Sequence, residues 1–239
     1  MSITARRICP AAIGLALLIF ARTAAAEDIE LPETAPLPQA RETALKRVNE
    51  NAKPSKAAGA LSAVERQCRQ ALRELGAGFA EAPAVEAQGG CHLPHPIEVT
   101  ALSRNMRLEP AAVLNCTTAL AAARFFQTSG MSAARKHLGA RITVVQQASA
   151  YVCRQRNGND TISEHAFGNA LDVSGVTLSD GRQIAVREAA GSTAEAKFLN
   201  YLHEAACGPF LTVLGPGSDP DHADHFHFDM KKRRNPFCQ

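Results

Sequence analysis

The chain has 239 residues, 46% of them hydrophobic, with 26 Lys and Arg against 23 Asp and Glu and a formal net charge of +3. Three of the basic residues, Arg6, Arg7 and Arg22, lie in the first 26, which contain no acid, so the remainder carries 23 basic and 23 acidic residues. A neutral body argues against a nucleic-acid-binding protein and against a polybasic membrane-surface protein.

Residues 1–26 read as a secretory signal peptide. Arg6 and Arg7 precede the apolar run Ala11 to Phe20, and Ala24, Ala25 and Ala26 precede Glu27, so cleavage is expected after Ala26. An uncleaved anchor is the alternative, but the run is well short of the roughly 20 residues that span a bilayer. Export predicts a periplasmic or secreted protein with no membrane span after cleavage. Cys9 leaves with the leader. Cys68, Cys91, Cys116, Cys153, Cys207 and Cys238 remain, an even number in an oxidising compartment, which predicts a disulfide framework. Sequence alone does not choose among the pairings. The working assignment joins neighbours in chain order: Cys68 with Cys91, Cys116 with Cys153 and Cys207 with Cys238. No C-x-x-C occurs, so neither a zinc knuckle nor a thioredoxin-type redox site is suggested.

Residues 27–58 carry Pro32, Pro36, Pro38 and Pro54 with little apolar periodicity and read as a flexible tether. Residues 59–239 are the size of one domain with a real core. Leu61, Val64, Leu72 and Leu75 predict a helix over 60–75 that stops at Gly76. Glu109-Pro110 predicts the start of a second helix over 111–126, and 131–138 a third, ending at Gly139. A fourth, capped by Ser192 or Thr193, runs to Ala206. Strands are predicted over 142–153, 169–176, 210–214 and 225–230. Helices first and strands mostly later argue for an α+β fold with a small antiparallel sheet flanked by helices.

Two segments concentrate metal-ligand side chains, 163–172 (SEHAFGNALD) and 221–229 (DHADHFHFD). In the second, period-2 alternation puts His225, His227 and Asp229 on one strand face and Phe226, Phe228 and Met230 on the other. In the first, Gly168, Ala170 and Asp172 share a face, and their small neighbours would leave room beside the carboxylate. His165 precedes the strand and can fold over that face. His165, Asp172 and His227 would then supply two imidazoles and a carboxylate, with a fourth position left for water, which is the arrangement of a catalytic zinc site holding one ion.

S-x-H-x-x-G-x-A-x-D followed by an H-x-H strand resembles the metallopeptidases grouped around lysostaphin, D-Ala-D-Ala carboxypeptidase and the hedgehog domain. The D-H-x-x-H-x-H run, with His222, His225 and His227, is similar to penicillin-insensitive murein endopeptidase. Over a wider span, from about Ala60 onward, the chain resembles the bacterial extensin-like C-terminal domain. That resemblance is carried by 149–154 (SAYVCR), both motifs, 213–217 (VLGPG) and Cys238, and no Ser-Pro repeats of a plant-wall extensin are present. It implies a zinc peptidase acting on peptidoglycan, of endopeptidase or carboxypeptidase type. Carboxypeptidases of the group place a Glu before the last ligand as base. Here that role falls to His225, whose other reading is support for a ligand. Arg154 matches an arginine that contacts substrate oxygens. Ser163, Tyr151, His222 and Asp224 are candidates for substrate or supporting contacts, although His222 and Asp224 can equally end a loop. The alternative function is a zinc-containing peptidoglycan-binding module without turnover.

The remaining candidates have plainer readings. His92 and His95 flank Pro94 in an expected surface turn, and His137 and His203 lie in expected helices without partners. Lys231 to Arg234 read by default as a solvated charge run, the alternative being a patch that steers an anionic glycan chain, and Phe125, Phe126, Phe198 and Tyr201 read as helix core.

Overall fold

The computed structural model describes residues 60–87 and 89–239. The expected leader and tether, residues 1–58, lie outside the described residues. Helix α1 (Ala63–Glu74) starts where Ser62 Oγ accepts from Glu65 N at 3.1 Å, satisfying a free amide of the first turn. It buries Leu72, but Val64 is 73% exposed, so the apolar stripe is narrower than expected. Arg69 is buried instead, its charge met by Glu65, Glu81 and the His95 carbonyl.

A strand-rich stretch that the sequence reading missed follows: β1 (Gly78–Glu81), β2 (Val85–Glu86), β3 (His92–Leu93), β4 (Ile97–Ser103) and β5 (Met106–Leu114). Glu109-Pro110 does not open a helix; it lies inside β5 with a cis peptide bond. Pairing of β5 with β4 skips from Arg107 to Ala112, and Pro110, which has no N–H to donate, sits in that irregularity. The helix begins only at α2 (Cys116–Phe125), where Asn115 Oδ1 accepts from Thr118 N at 2.8 Å. It continues through π turns at Phe126–Gly130, a short α segment at Met131–Ala133 and further π turns at Ala134–Leu138. The expected second and third helices are therefore one helical run, which Gly139 ends, with φ +66°.

Next come β6 (Ile142–Ser149), β7 (Ala170–Leu178), β8 (Gln183–Ala185), α3 (Ala194–Ala206), β9 (Thr212–Leu214), β10 (Phe226–Asp229) and β11 (Phe237–Cys238). The later strands and the helix capped by Thr193 form as expected, with ends moved by a few residues. The class is α+β, but the sheet is neither small nor purely antiparallel. Nine strands run in the order β1-β4-β5-β6-β7-β10-β9-β11 with β8 beside β7, and the pairs β5–β6 and β9–β11 are parallel. The long helical run explains the first parallel pair, because it supplies the crossover that parallel strands need and a hairpin cannot.

Leu171 and Val173 of β7, Phe226 and Phe228 of β10 and Val213 of β9 enter the core beneath α2, where Phe125 meets Phe228 edge-on. Phe126 and Phe198 are buried as expected, whereas Tyr201 is 37% exposed and is not core. Residues alternating with the core set, Asp172, His227 and Asp229, point to the opposite face.

The disulfides are Cys68–Cys116, Cys91–Cys153 and Cys207–Cys238. Only the last agrees with neighbour pairing. Cys68–Cys91 and Cys116–Cys153 do not form because α1 packs on α2, bringing the Cα atoms of Cys68 and Cys116 to 6.1 Å. Cys91 is thereby left to meet Cys153 and pins the segment after β6 to the start of β3.

Candidate metal centre

Asp172 of β7 and His227 of β10 are direct cross-strand partners, which sets their side chains next to each other on one face. His165 reaches them from a single 3-10 turn, Glu164–Phe167, just before β7. Gly168 ends that turn with φ +57°, and its carbonyl accepts from Asn115 N at 2.9 Å. A Cβ there would stand 2.7 Å from Asn115 N and 2.8 Å from Leu93 Cδ2. Gly168 is thus required by the turn and by close packing on the start of α2; it does not clear space for a metal above the sheet, as the sequence suggested. Gly168→Ala should cost about 1–3 kcal/mol of stability from the backbone conformation alone, read as a lower urea midpoint.

The donor atoms converge. His165 Nε2 lies 3.2 Å from Asp172 Oδ2 and 3.3 Å from His227 Nδ1, and His227 Nδ1 lies 2.8 Å from Asp172 Oδ1. His165 and Asp172 are buried and His227 is nearly so. Both imidazoles are fixed from behind: His165 Nδ1 donates to the Ala150 carbonyl and His227 Nε2 to Asp229 Oδ2 at 3.2 Å. A carbonyl or an ionised carboxylate only accepts, so the outer nitrogens carry the protons. The inner nitrogens, His165 Nε2 and His227 Nδ1, are turned on the carboxylate, where a bound cation would take their lone pairs in place of protons.

Burial alone would raise the Asp172 carboxyl, but hydrogen bonds from His165 and His227 hold it well below the ordinary carboxylate range. Burial would likewise lower His227, yet its bonds to Asp172 and Asp229 outweigh that and push it up to about 9. Both shifts say that the pocket is arranged around one positive charge, which a cation would satisfy in place of a proton. Together the three residues can hold a metal ion.

The group opens on a cavity of about 460 Å³ that also receives Arg154, Ser163, His222 and His225 from the expected set. His225 Nδ1 donates to Asp224 Oδ1 at 2.9 Å, and its Nε2 lies 3.8 Å from Asp172 Oδ2. His222 Nδ1 donates to Asp219, 2.7 Å from Oδ1. Asp224 and Tyr151 do not line the cavity. Asp224 acts from behind His225, and Tyr151 is tied to Val113 through its backbone N–H. Among the described residues His92, His95, His137 and His203 stay outside the donor group. His92 is in β3 rather than in a turn, and His203 stacks on Phe226 at 5.4 Å between ring centroids.

The sequence reading missed two supports and several lining residues, among them Arg156, Asn157, Thr212 and Arg233. One support is Asp229, which H-x-H-x-D alternation points at the ligand face and which holds His227 from behind. The other is Asp219, three residues before His222, which accepts from that imidazole. Asp229→Ala should lower metal affinity about 10- to 100-fold with the fold intact, measured by competition with a chromogenic chelator.

A disulfide-stapled α+β domain whose sheet turns a buried His-Asp-His donor group towards a solvent-facing cavity is the class that fold and site define. The chain belongs to the extensin-like protein C-terminus family, which matches residues 66–239, nearly all of the domain. No curated protein and no solved structure matches it. Among the described residues no helix is long and apolar enough to cross a membrane.

Proposed function

We propose that the chain is an exported zinc-dependent peptidase that hydrolyses peptide bonds in peptidoglycan. The observation that carries this reading is the inward convergence of two imidazole nitrogens and one ionised carboxylate beside a third, differently held imidazole, His225. Ligand atoms around a tetrahedral zinc with bonds of about 2.0–2.1 Å stand about 3.3–3.4 Å apart. The separations of His165 Nε2 from Asp172 Oδ2 and from His227 Nδ1, 3.2 and 3.3 Å, are close to that value. His165, Asp172 and His227 would hold the ion. Zinc, when bound, supplies Lewis acidity and makes water nucleophilic near neutral pH.

The rest is work for the chain's own side chains. With Nδ1 committed to Asp224, neutral His225 keeps an unprotonated Nε2 facing the Asp172 edge of the group. It is placed to take a proton from the attacking water and return it to the leaving amine. Arg154, whose side chain makes one hydrogen bond among the described residues, from Nη1 to the Gln155 carbonyl, can pair with a substrate oxygen. Peptidoglycan as substrate, and export to reach it, rest on the motif resemblance and on the leader.

The test is digestion of purified sacculi by zinc-loaded protein, with the soluble products resolved by mass spectrometry. Muropeptides released without EDTA and absent with it support the peptidase. Tight binding of sacculi with no release would replace it by the zinc-containing binding module.

A further inference from the structure

Lys232, Arg233 and Arg234 are exposed, as a solvated charge run requires, but the segment that carries them is held in place. β11 pairs in parallel with β9, and Cys238 is bonded to Cys207 at the end of α3. This places Arg233 and Phe237 in the wall of the cavity that holds the donor group, beside Thr212 and Asp229. Arg233 Nε donates to Thr212 Oγ1 at 3.0 Å, and its guanidinium carbon stands 5.3 Å over the Phe237 ring. Thr212 is hydrogen-bonded in turn to Asp229, the residue that holds His227 Nε2.

Arg156 and Lys231 both face Glu164, at 3.8 and 3.7 Å, and Asp229 is engaged by His227, Thr212 and the Lys231 amide. Among the described residues Arg233 has no carboxylate partner, and its terminal nitrogens make no hydrogen bond. A planar fork that is stacked on one face, anchored at Nε and uncommitted at both tips is prepared for a two-point contact with a carboxylate. Arg154 has no such anchor. Much of the entropy of ordering the Arg233 side chain is therefore lost before a ligand arrives.

We propose that Arg233 recognises a carboxylate, so that the peptide taken into this cavity carries a free carboxylate group. The proposal rests on the peptidase reading of the same site. Its test is equilibrium binding of two probes: a murein stem tetrapeptide with its carboxylates free, and the same peptide with its carboxylates converted to carboxamides. Metal-loaded wild type should bind the free acid about 10- to 100-fold more tightly than the amide, the weight of a charge-assisted contact. Arg233→Ala should bind the two alike at unchanged metal content, and Arg233→Lys should recover part of the preference. Wild type stripped of metal should keep it.

Equal binding of both peptides by wild type, or binding of neither, overturns the assignment. So does a preference that survives Arg233→Ala, or one that disappears with the metal. A peptide that is bound with this preference and never cleaved overturns the peptidase reading and leaves the Arg233 assignment standing.

Discussion

Replacing His225 with Ala should lower the rate of release of disaccharide-peptide monomers from cross-linked murein fragments by about 10²- to 10⁴-fold, with metal content unchanged. The magnitude is that of losing a positioned proton carrier. His225 lies outside the donor group and just ahead of β10, so its removal leaves the β7–β10 pairing and all three donors in place. Its side chain lines the cavity and stands outside the hydrophobic core, so no core packing is lost with it. Asp172→Ala should behave differently: that carboxylate lies between two imidazoles, and the variant should lose the metal along with activity. The pair of variants separates proton transfer from ligation. Full activity in His225→Ala would reject the base assignment and pass it to His222, whose Nδ1 is held by Asp219 in the same way.

The parts of the site that the sequence made legible are those governed by local periodicity. His225-x-His227-x-Asp229 alternates against Phe226 and Phe228, and one face of a strand cannot be both core and site, so the ligand face was fixed once β10 was recognised. His165 and Asp172 were legible as a motif, but their meeting with His227 depends on the register that sets His227 opposite Asp172, which is a tertiary fact. The supports behind the ligands were harder to read. The Ala150 carbonyl carries no residue-type signal, and Asp219 acts from a turn whose direction the spacing does not give.

The errors elsewhere have the same origin. Pro110 has the composition of a helix start, and the Ala-rich segment after it reinforced that reading. Yet Met106, Leu108, Ala112 and Leu114 are all buried, and pairing with two neighbouring strands overrode local propensity. The true start was signalled by Asn115 followed at three residues by the Thr118 amide it caps, and was outweighed by the proline. The disulfide pairing failed because helix-on-helix packing, not closeness along the chain, brought Cys68 to Cys116.

Reduction of the three disulfides should unfold the domain at temperatures where the oxidised protein is fully native. The bridges close separations of 48, 62 and 31 residues. In the chain-entropy account each loop of that size contributes about 4 kcal/mol by restricting the unfolded ensemble. Three such contributions rival the whole stability of an ordinary domain, about 5–15 kcal/mol. The bridges also divide their labour. Cys68–Cys116 joins α1 to α2 and guards the core, whereas Cys91–Cys153 fastens the segment that carries Arg154 and Arg156 into the cavity wall. Cys207–Cys238 fastens the segment carrying Arg233 and Phe237. A Cys68→Ser, Cys116→Ser protein should therefore lose stability with a normal peptide preference, while a Cys207→Ser, Cys238→Ser protein should lose the carboxylate preference as well. Thermal melts with and without reductant, paired with alkylation of the unfolded protein, read both effects. Six reactive thiols without reductant, or an unchanged melting temperature with it, would remove the disulfides from the account of stability. The second double variant tests more than stability: if the strap positions Arg233 through β11, cutting its covalent tie should weaken acid recognition while His165, Asp172 and His227, held by β7, β10 and the turn before β7, still take up one equivalent of metal.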